Sequence, residues 1–141
     1  DGIDFFTSAG SPLTALTSGD PLWIQLRYKL SREIRRVHFQ VAIESLEGQM
    51  QFLLDTRLNG LTSILPEGPG VVNFRLDSLP LRNGFYNVTT VIHSEDEAEA
   101  LDYQPCCRTI HVVGESVHEG SYFTPHRSEI CPGASPDNSC S

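Results

Sequence analysis

Period-two alternation of apolar and polar residues constrains this chain more than any other feature. From Leu22 to Leu30, Leu22, Ile24, Leu26, Tyr28 and Leu30 share one parity, and Trp23, Gln25, Arg27 and Lys29 the other. Val37, Phe39, Val41 and Ile43 repeat the pattern against His38, Gln40, Ala42 and Glu44. So do Met50, Phe52, Leu54, Thr56 and Leu58 against Gln51, Leu53, Asp55 and Arg57, and Val72, Phe74 and Leu76 against Asn73, Arg75 and Asp77. Such alternation puts one set of side chains on a core face and the other on a solvent face of a β-strand. It leaves no convincing amphipathic helix.

The stretch from Leu79 to Ser94 organises the rest. Asn83-Gly84 is a turn signal, after which Tyr86, Val88, Thr90 and Ile92 form the inward set of a further strand. Entry through Gly84-Phe85-Tyr86 has the form of the corner in immunoglobulin-like sandwiches, where a Tyr packs inward and its hydroxyl bonds to upstream backbone. Ile110 and Val112 supply a last clear inward pair, and Glu47-Gly48-Gln49 reads as a hairpin loop. About seven or eight short strands separated by turn signals predict an all-β fold. The form expected is an antiparallel β-sandwich, immunoglobulin-like or jelly-roll. The sandwich is expected over residues 1–130, with a disordered Cys/Pro/Ser tail over 131–141.

The length of 141 residues suits one domain with a real core. A net charge of -8 disfavours nucleic acid and anionic lipid as partners, since each contact would begin in repulsion. The clustered Arg32, Arg35 and Arg36 read as a solvated turn. No apolar run reaches the ~18–20 residues that span a bilayer as a helix, so direct membrane insertion is not expected. The chain opens at Asp1 rather than Met and reads as a fragment or processed product. Four cysteines are present, at 106, 107, 131 and 140, and reduced thiols are favoured. A Cys131–Cys140 bridge would instead mark an oxidising compartment and an extracellular adhesion domain.

Signatures of catalysis are missing. Neither Gly-x-Ser-x-Gly, His-Glu-x-x-His, a phosphate-binding Gly-x-x-x-x-Gly-Lys-Ser/Thr loop nor a dinucleotide Gly-x-Gly-x-x-Gly occurs. On a strand Cys107 and His111 would stand ~13 Å apart, too far to share one ion. His118 and His126 flank Tyr122-Phe123 and read as exposed or hydrogen-bonded histidines rather than ligands. The acidic run Glu95-Asp96-Glu97 lacks the alternating ligands and glycine of a calcium loop. Asn87-Val88-Thr89 matches a glycosylation sequon but lies mid-strand. A non-enzymatic domain without metal or cofactor is therefore expected, and recognition falls to the outward faces.

Trp23 is the unusual outward residue, because leaving a large apolar side chain in water forfeits ~1.5–3 kcal/mol of burial. An indole amid Arg, Gln and His suits a sugar, offering a stacking surface together with donors and acceptors for hydroxyls. The candidate carbohydrate-binding residues are Trp23, Gln25, Arg27, His38, Gln40, Asn87 and Thr89, joined by Asn73 and Arg75 if their strands share the sheet. The competing reading is that Trp23 packs under a loop or a second subunit.

The succession of local sequences resembles the carboxy-terminal domain of Wzt-type ATPases, the nucleotide-binding subunits of ABC transporters that export O-antigen, the polysaccharide of lipopolysaccharide. Carrying the resemblance are Ser18-Gly19-Asp20-Pro21-Leu22, Val41-Ala42-Ile43 followed by Glu47-Gly48, and Asp55-Thr56-Arg57. Val72-Asn73-Phe74-Arg75-Leu76, Leu79-Pro80-Leu81 before Gly84-Phe85-Tyr86, Asp102-Tyr103 and Val112-Val113-Gly114 complete it. It spans roughly Ile3 to His126 and leaves out the Cys-bearing tail.

The resemblance implies a cytoplasmic domain at the inner face of the plasma membrane, recognising the non-reducing terminus of the exported polysaccharide, often a modified one. It also implies a homodimer, with the last strand exchanged between protomers in some members; Tyr122 and Phe123 hold that position here. The ATPase domain of such a protein is not within this chain. The alternative is a structural sandwich that only dimerises or docks to a transporter.

Overall fold

In the computed structural model, residues 2–56, 63–94, 102–114 and 126–133 are described. They form β1 (Gly2–Phe6), β2 (Leu16–Thr17), β3 (Leu22–Leu30), β4 (Ile34–Ser45), β5 (Met50–Asp55), β6 (Ser63–Leu65), β7 (Gly68–Leu76), β8 (Gly84–Ser94), β9 (Asp102–Val113) and β10 (His126–Pro132). No helix occurs among them. One sheet has the order β1-β3-β7-β10; the other runs β2-β9-β8-β4-β5, with β6 also pairing β4. All pairings are antiparallel except β2 with β9. The all-β sandwich expected from the alternation is the fold, with two very short strands, β2 and β6, that periodicity does not mark.

Parity decides the core. Leu22, Ile24, Leu26, Tyr28 and Leu30 of β3 are buried, as are Val37, Phe39, Val41 and Ile43 of β4 and Val72, Phe74 and Leu76 of β7. With Phe52, Leu54, Val88, Ile92, Ile110 and Val112 they form one continuous apolar cluster between the sheets. Each fully buried aliphatic or aromatic side chain contributes about 1.5–3 kcal/mol relative to exposure, so the alternating strands supply most of the driving force. β5 departs from the expected span, ending at Asp55. Thr56 leaves the ladder fully buried, and its hydroxyl accepts the amide of Phe39 at 3.1 Å.

Two joints pin the connections that cross between the sheets. Tyr86 donates its hydroxyl to the carbonyl of Arg82 at 2.8 Å, the corner expected from Gly84-Phe85-Tyr86. The turn after β2 is clamped to the segment before β8. Gly19 donates its amide to Leu79 O at 2.9 Å, Leu79 returns one to Asp20 O at 2.9 Å, and Ser78 Oγ donates to Gly19 O at 3.0 Å. Ser18 Oγ donates to Leu81 O, and Ser18 N to Val113 O at 2.8 Å. Gly19 takes φ 82°, which a Cβ would strain. The Ser/Thr/Gly/Pro-rich stretch from Ser8 to Gly19 thus contains β2 and part of this clamp.

The carboxy-terminal boundary also differs. Cys131 and Pro132 continue β10, where the composition suggests a tail. Cys131 is disulfide-bonded, against the reduced thiols that the sequence favours; composition carries no information on which sulfurs the fold brings together. Cys107 is an exposed thiol. The acidic run 95–99, His118, Tyr122, Phe123 and residues 134–141 also lie outside the described residues.

A packing compromise sits beneath β7. Tyr28 pairs with Gly70, and a Cβ at Gly70 would run into the Tyr28 hydroxyl. Tyr28 also packs its ring against Phe39, with centroids 5.0 Å apart. Its hydroxyl is buried with no hydrogen-bond partner among the described residues. Burial pushes its pKa above the ordinary 10.0, so ionisation costs more in the folded than in the unfolded chain. The stability contribution is whole below pH 10 and lost as pH rises through the folded value. Tyr28→Phe removes an unsatisfied hydroxyl without opening a cavity. It should raise stability by about 1 kcal/mol, near 3 °C in Tm, and flatten the alkaline decline measured in urea titrations above pH 10. Gly70→Ala should destabilise, and combining it with Tyr28→Phe should recover part of the loss.

Candidate functional site

The outward face of the four-stranded sheet gathers three registered rows. Phe6, Trp23, Arg75 and Arg127 form the first, and Asp4, Gln25, Asn73 and Glu129 the second. The third is Gly2, Arg27, Val71 and Cys131. Trp23, Gln25 and Arg27 therefore share a face with Asn73 and Arg75, as strand parity requires once β3 and β7 pair.

Hydrogen bonds knit the rows across three strands. Gln25 Nε2 donates to Asn73 Oδ1 at 3.3 Å, and Asn73 Nδ2 donates to Glu129 Oε1 at 3.0 Å. Arg75 Nη2 reaches the same Oε1 at 2.9 Å, while its Cζ lies 4.6 Å from the Trp23 ring centroid. Trp23 is accordingly half-buried, with Arg75 held against the indole as a cation–π partner.

Hydrogen-bonding capacity remains on this face. Gln25 Oε1, an acceptor, and Arg75 Nε, a donor, are buried with no hydrogen-bond partner among the described residues. Each such group costs about 1–3 kcal/mol if nothing meets it. A hydroxyl both donates and accepts, so it is chemically matched to this pair.

The other candidates lie on the outward face of the second sheet, not beside Trp23. His38 is buried and stacks on His93 with centroids 4.9 Å apart. Gln40 Nε2 donates to Asp55 Oδ2 at 2.9 Å. Thr89 Oγ1 donates to Glu44 Oε1 at 2.7 Å, and Thr109 Oγ1 donates to Asn87 Oδ1 at 2.9 Å. These four residues are engaged in cross-strand contacts on β4 and β8. Consecutive strands β3 and β4 belong to different sheets, a fact that parity within each strand does not contain. Conversely, nothing local marks Glu129, because its role arises from pairing between β10 and the distant β7.

The comparisons with known proteins agree with this architecture. The model of the Wzt C-terminal domain matches residues 1–124. The chain belongs to the Wzt C-terminal domain family. Its fold resembles the crystal structure of the C-terminal domain of Wzt with a TM-score of 0.71 at 15% identity, covering 98% of this chain and 81% of that one. No curated protein matches at the level of sequence. Membership links the chain to the ABC transporter of polysaccharide export. No helix among the described residues is long and apolar enough to cross a membrane.

Placed on the Wzt-domain fold, the local sequences that carried the resemblance fall into two groups. Ser18-Gly19-Asp20 and Leu79-Pro80-Leu81 meet in the clamp, and Tyr86 makes the corner. Asn73 and Arg75, from Val72-Asn73-Phe74-Arg75-Leu76, stand in the polar rows instead. Trp23 is the chain's single tryptophan and reports directly on this face. Arg75→Ala should strip the cation from the indole, red-shifting its emission and raising its quenching by acrylamide. The loss in stability should stay near 1 kcal/mol, because the Arg75–Glu129 pair is partly solvated.

Proposed function

We propose that this chain is a non-catalytic module that binds the non-reducing terminus of an exported polysaccharide, such as O-antigen, through the outward face of its four-stranded sheet. The observation that carries the reading is that a donor, Arg75 Nε, and an acceptor, Gln25 Oε1, lie buried on the face of the chain's single indole with no hydrogen-bond partner among the described residues. Sugar rings present apolar C–H faces and hydroxyls that both give and take hydrogen bonds. Trp23 supplies a surface for the former; Gln25, Asn73 and Arg75 address the latter. A terminus differs from an internal residue by an additional hydroxyl or its modification, and buried polar groups discriminate strongly against a ligand that leaves them unpaired.

In this reading the module acts beside the ATPase domain of a transporter, on the cytoplasmic side of the plasma membrane, and as a homodimer. A reducing cytoplasm would open the Cys131 disulfide and leave a thiol there. Rapid alkylation of native cells followed by mass analysis should then find Cys131 modified; recovery as a disulfide would sink the cytoplasmic assignment.

Binding is tested by titration calorimetry with polysaccharide from the source cell, intact or enzymatically trimmed at its non-reducing end. The intact polymer should bind and the trimmed polymer lose at least tenfold in affinity. Trp23→Ala should abolish binding while leaving Tm and the oligomeric state nearly unchanged. Release of monomers by Trp23→Ala, with glycan affinity intact, would instead establish the face as a docking surface.

A further inference from the structure

Beyond the sheet face, the edge between the sheets contains an open cleft of about 250 Å³. Arg27 lines it from β3, Gly2 and Asp4 from β1, and Thr90, Cys107 and Arg108 from β8 and β9. An irregular ladder places Arg108 there. Val88 pairs with Arg108 but Thr90 with Gln104, so Pro105, Cys106 and Cys107 stand opposite Thr89 alone. Pro105 has no amide to lose from a ladder, which suits such a bulge. Arg108 has the parity of Ile110 and Val112, yet it lies at the open edge and reaches across to β1. Its Nη1 donates to Ile3 O and approaches Asp4 Oδ1 at 3.4 Å, while its Cζ lies 5.2 Å from the Phe5 ring.

Arg27 approaches the same carboxylate from the other side, Nη2 to Oδ2 at 3.3 Å. Gly2 makes room for it, since a Cβ there would run into the Arg27 guanidinium. Asp4 therefore holds two like charges around one cleft, and the three side chains sum to +1 in a chain of net charge -8. Arg108 spends only Nη1 on hydrogen bonds; Nη2 and Nε carry none to a described residue. All three charged groups remain between a third and two fifths exposed, so a ligand can reach them. A planar fork of unused donors backed by an aromatic ring is the arrangement that recognises an oxyanion.

The geometry points to this cleft as a subsite for an oxyanion substituent on the bound sugar, a uronic-acid carboxylate or a phosphate monoester. It rests on the glycan-binding reading and adds the charge class of the ligand. Arg108 is the primary donor, Arg27 the second, and Asp4 the group that positions both while weakening anion affinity by its own charge.

The test titrates the full chain, labelled with nitrogen-15, with glucuronate, glucose 6-phosphate, inorganic phosphate and glucose, following arginine Nε–Hε signals and Trp23 emission. Saturable shifts at Arg108 are expected for an oxyanion ligand and not for glucose. The first two ligands separate carboxylate from phosphate ester, and inorganic phosphate separates anion from sugar recognition. Arg108→Gln should weaken that binding by about tenfold or more, and Arg27→Gln should also weaken it. Asp4→Asn should tighten it, an effect that loss of a merely structural ion pair would not produce.

Equal response to glucose and to the anions, or affinity unchanged in both folded arginine variants, would overturn the subsite. If intact polymer still binds wild type and Arg108→Gln equally, only the subsite fails and the sheet-face reading stands. Anion binding without any polymer binding would keep the cleft as an oxyanion site and remove the glycan reading instead.

Discussion

Everything in this structure depends on the burial of two alternating faces against each other. β3 and β7 turn their apolar parity toward β4, β8 and β9, and a single cluster fills the space between them. A one-residue slip in any of these strands would move its whole apolar set into water. The outward face of the four-stranded sheet inherits its order from that constraint. Trp23, Gln25, Asn73 and Arg75 stand in register because Ile24, Leu26, Val72 and Phe74 must.

Backbone clamps at the ends of the sandwich make this arrangement definite. The reciprocal bonds between Gly19-Asp20 and Leu79, together with the Tyr86 hydroxyl on Arg82, pin the approaches to β3 and β8. Many of the local sequences by which the family is recognised are residues of these joints. Such residues report how the domain is built rather than what it binds. The polar rows and the edge cleft consist of longer side chains whose identity the core does not dictate.

The two outward surfaces differ in how far their polar side chains are engaged. On the four-stranded sheet, the Gln25–Asn73–Glu129 ladder and the Arg75–Trp23 contact make a polar floor on which Gln25 Oε1 and Arg75 Nε meet no hydrogen-bond partner among the described residues. On the other sheet, Gln40, Thr89 and Asn87 are taken up by Asp55, Glu44 and Thr109. The edge cleft adjoins the first of these surfaces through Arg27, which belongs both to the third row and to the cleft wall. A ligand lying across the rows would meet the arginine pair at one end.

By itself the sequence determined the all-β class, the inward and outward membership of β3, β4, β7 and β8, and the tyrosine corner. Each follows from periodicity or a short turn, which are properties of neighbours in the chain. Which strands share a sheet was decided only by the tertiary structure. It put His38, Gln40, Asn87 and Thr89 on the face opposite Trp23, brought Glu129 to Asn73 over 56 positions, and Arg108 to Asp4 over 104. Those contacts arise from pairing and sheet packing at long range, where side-chain parity sets a direction but names no partner.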